Sequence, residues 1–252
     1  MPSPPPAITD EMLEDCLQAL HRLESQGSPA DVAAVAAFAR ISPETAGQVL
    51  AELESRGLVA NGQPERVALT VEGEQLAAGV LRRHRLSERL FADLLGMPWD
   101  RVHDEAMRLE HALSPEAEAR LTRLLNHPTT CPHGGPIPTP DARPLPGAAR
   151  PLDQVRAGRR GWIQQIVQEE ASLLRYLASL GLLPGAEIQV EEVAPLGGPV
   201  LIRLGEARYA LGRDVAAKVL VQEEGSPPDP QPAGRHGPGG WFRRRRRWGE
   251  PR

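Results

Sequence analysis

The 252-residue chain has little cysteine and little aromatic surface: two cysteines, and 4% Phe, Trp and Tyr. Cys16 falls in a helical pattern and Cys131 in a proline-rich stretch, so the pair implies no disulfide framework. No apolar run approaches the roughly 18 residues that a membrane span needs. The opening MPSPPPAITD lacks a basic region followed by an apolar core, so neither a signal peptide nor a span is expected, and the expected compartment is the cytoplasm. There is also no excess of positive charge. The net charge is −4, and within the first 70 residues Arg22, Arg40, Arg56 and Arg66 face ten acids, a local balance of −6. Contacts to phosphate supply most non-specific affinity for nucleic acid, so a DNA-binding reading has to account for that deficit.

What is present is ordinary globular composition, 40% hydrophobic and 25% charged, rich in Ala and Leu. The 26 prolines concentrate near residues 2–6, 128–151 and 227–251, which read as tails and a linker. Residues 10–26 space Met12, Cys16, Leu20 and Leu23 as a helix stopped by Gly27. Residues 30–39 form a short second helix. Ser42 and Pro43 then start a third, as N-cap and first helical residue, which ends at Gly57. Leu58 to Thr70 alternates weakly around Asn61-Gly62, a hairpin turn signal. Three short helices and a hairpin match the pattern of a winged helix-turn-helix, whose third helix enters the major groove, though any small helical domain can share them. Ser42, Pro43, Glu44, Thr45 and Gln48 at the start of that helix, with Arg66 on the wing, are the candidate DNA contacts. Gln48 suits adenine, and Thr45 a thymine methyl or a phosphate.

Longer helices follow over 71–96, 99–112 and 114–126, the last capped by Ser114 with Pro115 behind it. Their apolar faces suit a helical dimer interface. Residues 127–151 are expected to be linker. Strand-like segments over 161–167, 187–193, 200–204, 207–211 and 218–222, with one helix from Glu169 to Leu180, predict a five-stranded SH3-like barrel. Residues 223–252, with the run Arg243–Arg247, read as a disordered basic tail that adds solubility or non-specific attraction to DNA.

His84 and Glu88 share a helix face four residues apart; His103, Met107, Glu110 and His111 share another. Singly, such pairs are ordinary solvated side chains. Brought together by antiparallel helices, they offer imidazole and carboxylate donors suited to a divalent transition metal. Cys131 and His133, two positions apart with no second pair, are a weak metal signal. A di-metal carboxylate enzyme would need Glu-x-x-His pairs on two helices, and Glu110 and His111 are adjacent instead.

The segments RRHRLSERLFADLLGMPWDRVHDEAMRLEHALSPEAEARL and NHPTTCPHGGPIP resemble the diphtheria-toxin-repressor (DtxR/MntR) family of iron- and manganese-dependent transcriptional regulators, and the resemblance runs over roughly residues 9–222. It implies a mainly α fold: a winged helix-turn-helix (9–70), a helical metal-binding and dimerisation domain (71–140) and an SH3-like, FeoA-like β-barrel (152–222), with a tail at 1–8 and a linker at 141–151. It implies a repressor of metal-homeostasis genes that binds operator DNA as a homodimer when loaded with Mn(II) or Fe(II), with up to two ions per subunit, no catalytic activity and no membrane partner. The ancillary site implied is His84, Glu88 and His103, completed by a barrel carboxylate, Glu170 or its neighbour Glu169. The regulatory site implied is Glu110 and His111, with Met107 and a first-helix residue, Asp15. Here the chain departs from the iron type, which has cysteine where Met107 stands and methionine where Asp15 stands. Asp15 matches the manganese type, which has a carboxylate in place of Met107. Oxygen-rich, thiolate-free ligation favours the harder ion, manganese. Met107 could ligate through sulfur, offer only its carbonyl, or merely pack. In the family, the stretch holding Cys131 and His133 is a structural turn. The alternative is a winged-helix regulator of a non-metal ligand, in which these faces are incidental.

Overall fold

The computed structural model describes residues 7–25, 27–63, 66–139 and 149–223. They form two compact units. The first comprises the residues up to Ser87 together with 106–129 and 136–145; the second comprises 88–105, 130–135 and the residues from 146 onward. Both tails and residues 140–148, which include most of the linker expected at 141–151, lie outside the described residues or largely so. No helix among the described residues is long and apolar enough to cross a membrane.

In the first unit, α1 (Asp10–Ser25), α2 (Val32–Ala39) and α3 (Pro43–Ser55) precede a hairpin of β1 (Val59–Gln63) and β2 (Arg66–Leu69). Local chemistry sets the helix starts: Asp31 accepts a hydrogen bond from the Ala34 amide, and Ser42 Oγ accepts one from the Thr45 amide at 3.0 Å. Leu13, Leu17 and Leu20 of α1, Val35 of α2, and Val49, Leu50 and Leu53 of α3 share one buried core with Val59 and Val67 of the hairpin. That core makes α1 a direct support of α3. The hairpin turn is not at Asn61-Gly62. Gln63 pairs with Arg66 and Asn61 with Val67 across a register irregularity, so the connection is residues 64–65, outside the described residues.

α4 (Val71–Arg89) begins against the wing, where a Cβ on Gly73 would lie 1.9 Å from the Leu58 carbonyl oxygen. The helix expected to reach residue 96 loosens into a π turn at Leu90–Leu94, and Gly96 stops it at φ +68°. α5 covers Val102–Leu109, after which Glu110–Ala112 tighten into a 3-10 turn before α6 (Pro115–Leu124). Glu110 and His111 therefore leave the helix face predicted to carry them with His103, because a 3-10 turn winds at about 3.0 rather than 3.6 residues per turn.

In the second unit β3 (Ala149–Pro151), β4 (Arg160–Ile166), β5 (Glu187–Val193), β6 (Val200–Leu204), β7 (Ala207–Leu211) and β8 (Val219–Glu223) form one antiparallel sheet in the order β3-β8-β4-β5-β6-β7. α7 (Ala171–Ser179) and the one-turn α8 (Arg213–Ala216) accompany it. Leu174 and Leu177 of α7 pack with Ile163, Ile166, Ile188, Ile202 and Val219. The sheet has six strands, not five, and does not close into a barrel. The extra strand, Ala149–Pro151, comes from the expected linker; Pro151 is tolerated because β3 is an edge strand.

Candidate metal centres

The first cluster lies within the first unit. Asp15 on α1 and Glu110 and His111 in the 3-10 turn bring one ligand atom each to within 4.8 Å of one another. Glu110 is fully buried and its carboxylate is held from two sides, by Gln18 Nε2 of α1 at 3.1 Å and by a short contact to His84 Nδ1 of α4. Two adjacent acids of α1 approach opposite nitrogens of the His111 ring: Glu14 Oε2 lies 2.7 Å from Nδ1, and Asp15 Oδ1 lies 3.2 Å from Nε2. Asp15 Oδ1 is buried and off the angle that a hydrogen bond needs, so it has no aligned partner among the described residues. The Asp15 and Glu14 carboxylates on either side of the ring raise the His111 pKa to about 10, against the opposing effect of burial and with help from the Glu110 charge. Burial pushes Glu14 upward, but its bonds to His111 and Arg83 win, and its carboxyl sits below the ordinary carboxylate range.

The second cluster lies within the second unit. Glu88, Cys131, His133 and Glu169 bring one ligand atom each to within 4.8 Å of one another. His133 Nδ1 lies 3.3 Å from Glu88 Oε1 and 3.6 Å from Glu169 Oε1, and Glu169 Oε2 reaches His103 Nδ1 at 2.7 Å. The Cys131–Gly135 loop, far from being slack linker, is built for this placement. The Cys131 amide donates to Gly135 O and the Gly134 amide to Cys131 O, which closes a tight turn, and the Ile166 amide of β4 donates to His133 O. Gly134 has φ +87°, and a Cβ there would lie 1.9 Å from Gln164 O, so glycine alone lets the loop lie along β4. His133 is fully buried, with Nε2 2.8 Å from Trp99 O. A carbonyl only accepts, so Nε2 carries the proton and Nδ1 faces the carboxylates. Nδ1 is buried without an aligned hydrogen bond among the described residues. Burial opposes charge on this ring, but the Glu88 and Glu169 carboxylates and Cys131 prevail and hold its pKa well above the usual imidazole value.

Most of the expected ligands thus fall into these two groups: Asp15, Glu110 and His111 in one, Glu88 and His103 against Glu169 in the other. His84, one turn before Glu88 on α4, contacts Glu110. Met107 sits half-buried one turn before His111. Glu170 is a correction. It is the N-cap residue of α7, exposed, and its carboxylate bonds to Ser172, whereas Glu169 points into the cluster. Alternate residues entering a helix face opposite ways, and spacing alone could not choose between neighbours. Cys131 and His133, a weak metal signal in the sequence, come to stand beside Glu88 and Glu169, in a Cys-Pro-His-Gly-Gly turn whose glycines let it be buried. The thiolate-free argument applies to the first cluster only.

Both donor sets fit a divalent cation. Each pairs imidazole with at least two carboxylates, and each contains a buried polar atom, Asp15 Oδ1 or His133 Nδ1, with no aligned partner among the described residues.

The candidate DNA contacts divide. Ser42, Pro43 and Glu44 are exposed and Gln48 is half-buried. Thr45 is buried, with its hydroxyl 2.8 Å from Ser42 Oγ, so capping consumes the side chain expected to face DNA. The Arg66 side chain lies outside the described residues.

Comparison with known proteins agrees with this architecture. Residues 70–139 match the model for the iron-dependent repressor metal-binding and dimerisation domain, and residues 150–223 match the FeoA domain. The iron-dependent repressor IdeR of Mycobacterium tuberculosis is 34% identical over 219 residues, covering 82% of this chain and 95% of that protein. The diphtheria toxin repressor of Corynebacterium efficiens is 35% identical over 221 residues, covering 82% and 93%. The structure of a manganese-dependent transcriptional repressor in complex with manganese superposes with a TM-score of 0.78 at 32% identity, covering 84% of this chain and all of that one. Fold and clusters together define a winged-helix protein with a FeoA-type domain and buried carboxylate-imidazole centres. The chain belongs to the diphtheria-toxin-repressor (DtxR/MntR) family of iron- and manganese-dependent regulators.

Proposed function

We propose that the protein is a metal-dependent transcriptional repressor of metal-homeostasis genes, acting in the cytoplasm as a homodimer on operator DNA. Its three parts would be the head at 9–70, the helical domain at 71–140 and the FeoA-type domain at 152–222. Asp15, Glu110 and His111, with Met107 next to them, would hold one Mn(II) or Fe(II); Glu88, His103, Cys131, His133 and Glu169 would supply the donors for a second. The observation that carries this reading is that Asp15, on a helix whose other face packs beneath α3, converges with Glu110 and His111 from the helical segment after α5.

A divalent ion bound there supplies positive charge that offsets the carboxylates of α1 and of Glu110. The chain's residues do the rest. Asp15 ties α1 to the turn at 110–112, the shared core carries that constraint from α1 to α3, and α3 presents Ser42, Pro43, Glu44 and Gln48 to the groove. This is a population shift toward the arrangement in which paired reading heads fit successive grooves. Offsetting carboxylate charge also relieves part of the −6 balance of the head.

The test is anaerobic titration of the metal-free protein with manganese, iron and zinc while operator binding is followed. Tightening with manganese or iron supports the reading. Binding of operator that ignores all three metals favours the regulator of a non-metal ligand.

A further inference from the structure

We propose that Glu14, held by Arg83, is a positioning residue for His111: it occupies Nδ1 of the ring and leaves Nε2 as the donor atom of the Asp15–Glu110–His111 centre. The inference rests on the metal-binding reading of that centre. Glu14 and Asp15 are neighbours on α1, yet they do different things. Both Glu14 oxygens are committed, Oε2 to His111 Nδ1 at 2.7 Å and Oε1 to Arg83 Nη2 at 2.9 Å. Asp15 Oδ1, by contrast, has no aligned partner among the described residues. A carboxylate only accepts, so Nδ1 carries the proton in this contact, and the lone pair open to a cation falls on Nε2, the nitrogen that faces Asp15 and Glu110. Glu14 therefore orients the ring and is not itself a donor to the ion.

Arg83 makes the arrangement rigid. Its Nε donates to the Glu110 backbone oxygen at 2.9 Å while Nη2 holds Glu14, so one planar guanidinium fixes the α1 segment and the 3-10 turn relative to each other. Those are the two segments that carry the three donors. Without Glu14 the imidazole can turn over and exchange its nitrogens, and the donor atom is no longer predetermined. Loss of such an outer carboxylate characteristically weakens metal affinity by about 10- to 100-fold.

The test measures Mn(II) affinity of the full-length metal-free protein by chelator competition, without DNA, for wild type, Glu14→Ala, Glu14→Gln, Arg83→Met and His111→Ala. It is joined to nitrogen-15 NMR of the His111 ring in the Zn(II)-loaded protein. We expect wild type to show a protonated Nδ1 and a metal-shifted Nε2. Glu14→Ala should bind Mn(II) at least about 10-fold more weakly, and Glu14→Gln, which keeps an acceptor, less so. Arg83→Met should fall between wild type and Glu14→Ala. A role confined to stability would lower the melting temperature but leave affinity and ring shifts of the folded protein unchanged, and would overturn the proposal. So would metal on Nδ1 in wild type. If His111→Ala binds as wild type, the metal-binding reading of the cluster fails and this inference falls with it. If His111→Ala loses binding while Glu14→Ala and Glu14→Gln retain it, only the positioning role is refuted.

Discussion

The two clusters are built in different ways. The Asp15–Glu110–His111 group draws on α1 and a 3-10 turn, offers only oxygen and nitrogen among its acids and imidazole, and leaves His111 partly exposed. The Glu88–Cys131–His133–Glu169 group draws on the end of α4, a glycine-closed loop and the approach to α7; its Glu88, Cys131 and His133 are fully buried, and it includes a thiol. The first is joined through α1 to the core that α1 shares with α3, the helix proposed to read DNA. The second is walled by a loop laid against β4. On the proposed function, the first would act as a switch and the second as a staple.

The largest effect that would sharpen this contrast is expected from His111→Ala, which should reduce metal-dependent operator affinity by 100-fold or more, on the order of 3 kcal/mol, with the fold intact. Gel-shift titrations with and without manganese measure it; an activation ratio equal to wild type would erase the distinction. A smaller effect is expected in the second cluster. If the second cluster holds an ion, Glu169→Gln should lower the count of bound ions by one per subunit and weaken activation by about tenfold, in the range seen for loss of one supporting metal contact, while Glu170→Gln should change neither. Metal counting by mass spectrometry under native conditions separates the neighbours, and the reverse outcome would return the role to Glu170.

The smallest effect is a pH dependence. The folded pKa of His111, about 10, is raised above the ordinary 6.5, so its stabilisation of the metal-free protein is fully present below pH 6.5 and is lost as pH rises toward 10. Metal affinity should move the opposite way, strengthening over the same range because the Nε2 proton competes with the ion. Thermal melts and chelator competition between pH 6.5 and 9 check the two slopes. His111→Ala should flatten both, and parallel slopes in wild type would contradict the assignment.

Much of the fold was legible because local chemistry decided it. Ser42, Asp31 and Ser114 cap the helices they precede, and β5, β6 and β7 coincide with the alternating runs that predicted them. Misreadings arose where long-range packing overrode a local signal. Asn61-Gly62 was a strong turn dipeptide, but the strand pairing runs on to Gln63 opposite Arg66. The Pro/Gly-rich 127–139 stretch reads as slack in isolation; only β4, against which Gly134 must fit, reveals it as a packed wall bearing Cys131 and His133. Thr45 was legible as a residue of the recognition helix, but not as one turned inward to its own cap. The ligand types at Asp15, Glu110 and His111 could be read from the family motif. The service of Glu14 to the far side of the same imidazole could not, since an acid on a solvated helix looks alike in either role.

Whether Asp15 transmits metal binding to the reading head is decided by Asp15→Ala, with metal affinity and operator affinity measured on the same sample. The variant should still take up manganese, more weakly, yet at saturating manganese bind operator no better than the metal-free protein does. A variant that is fully activated once saturated with metal would contradict it.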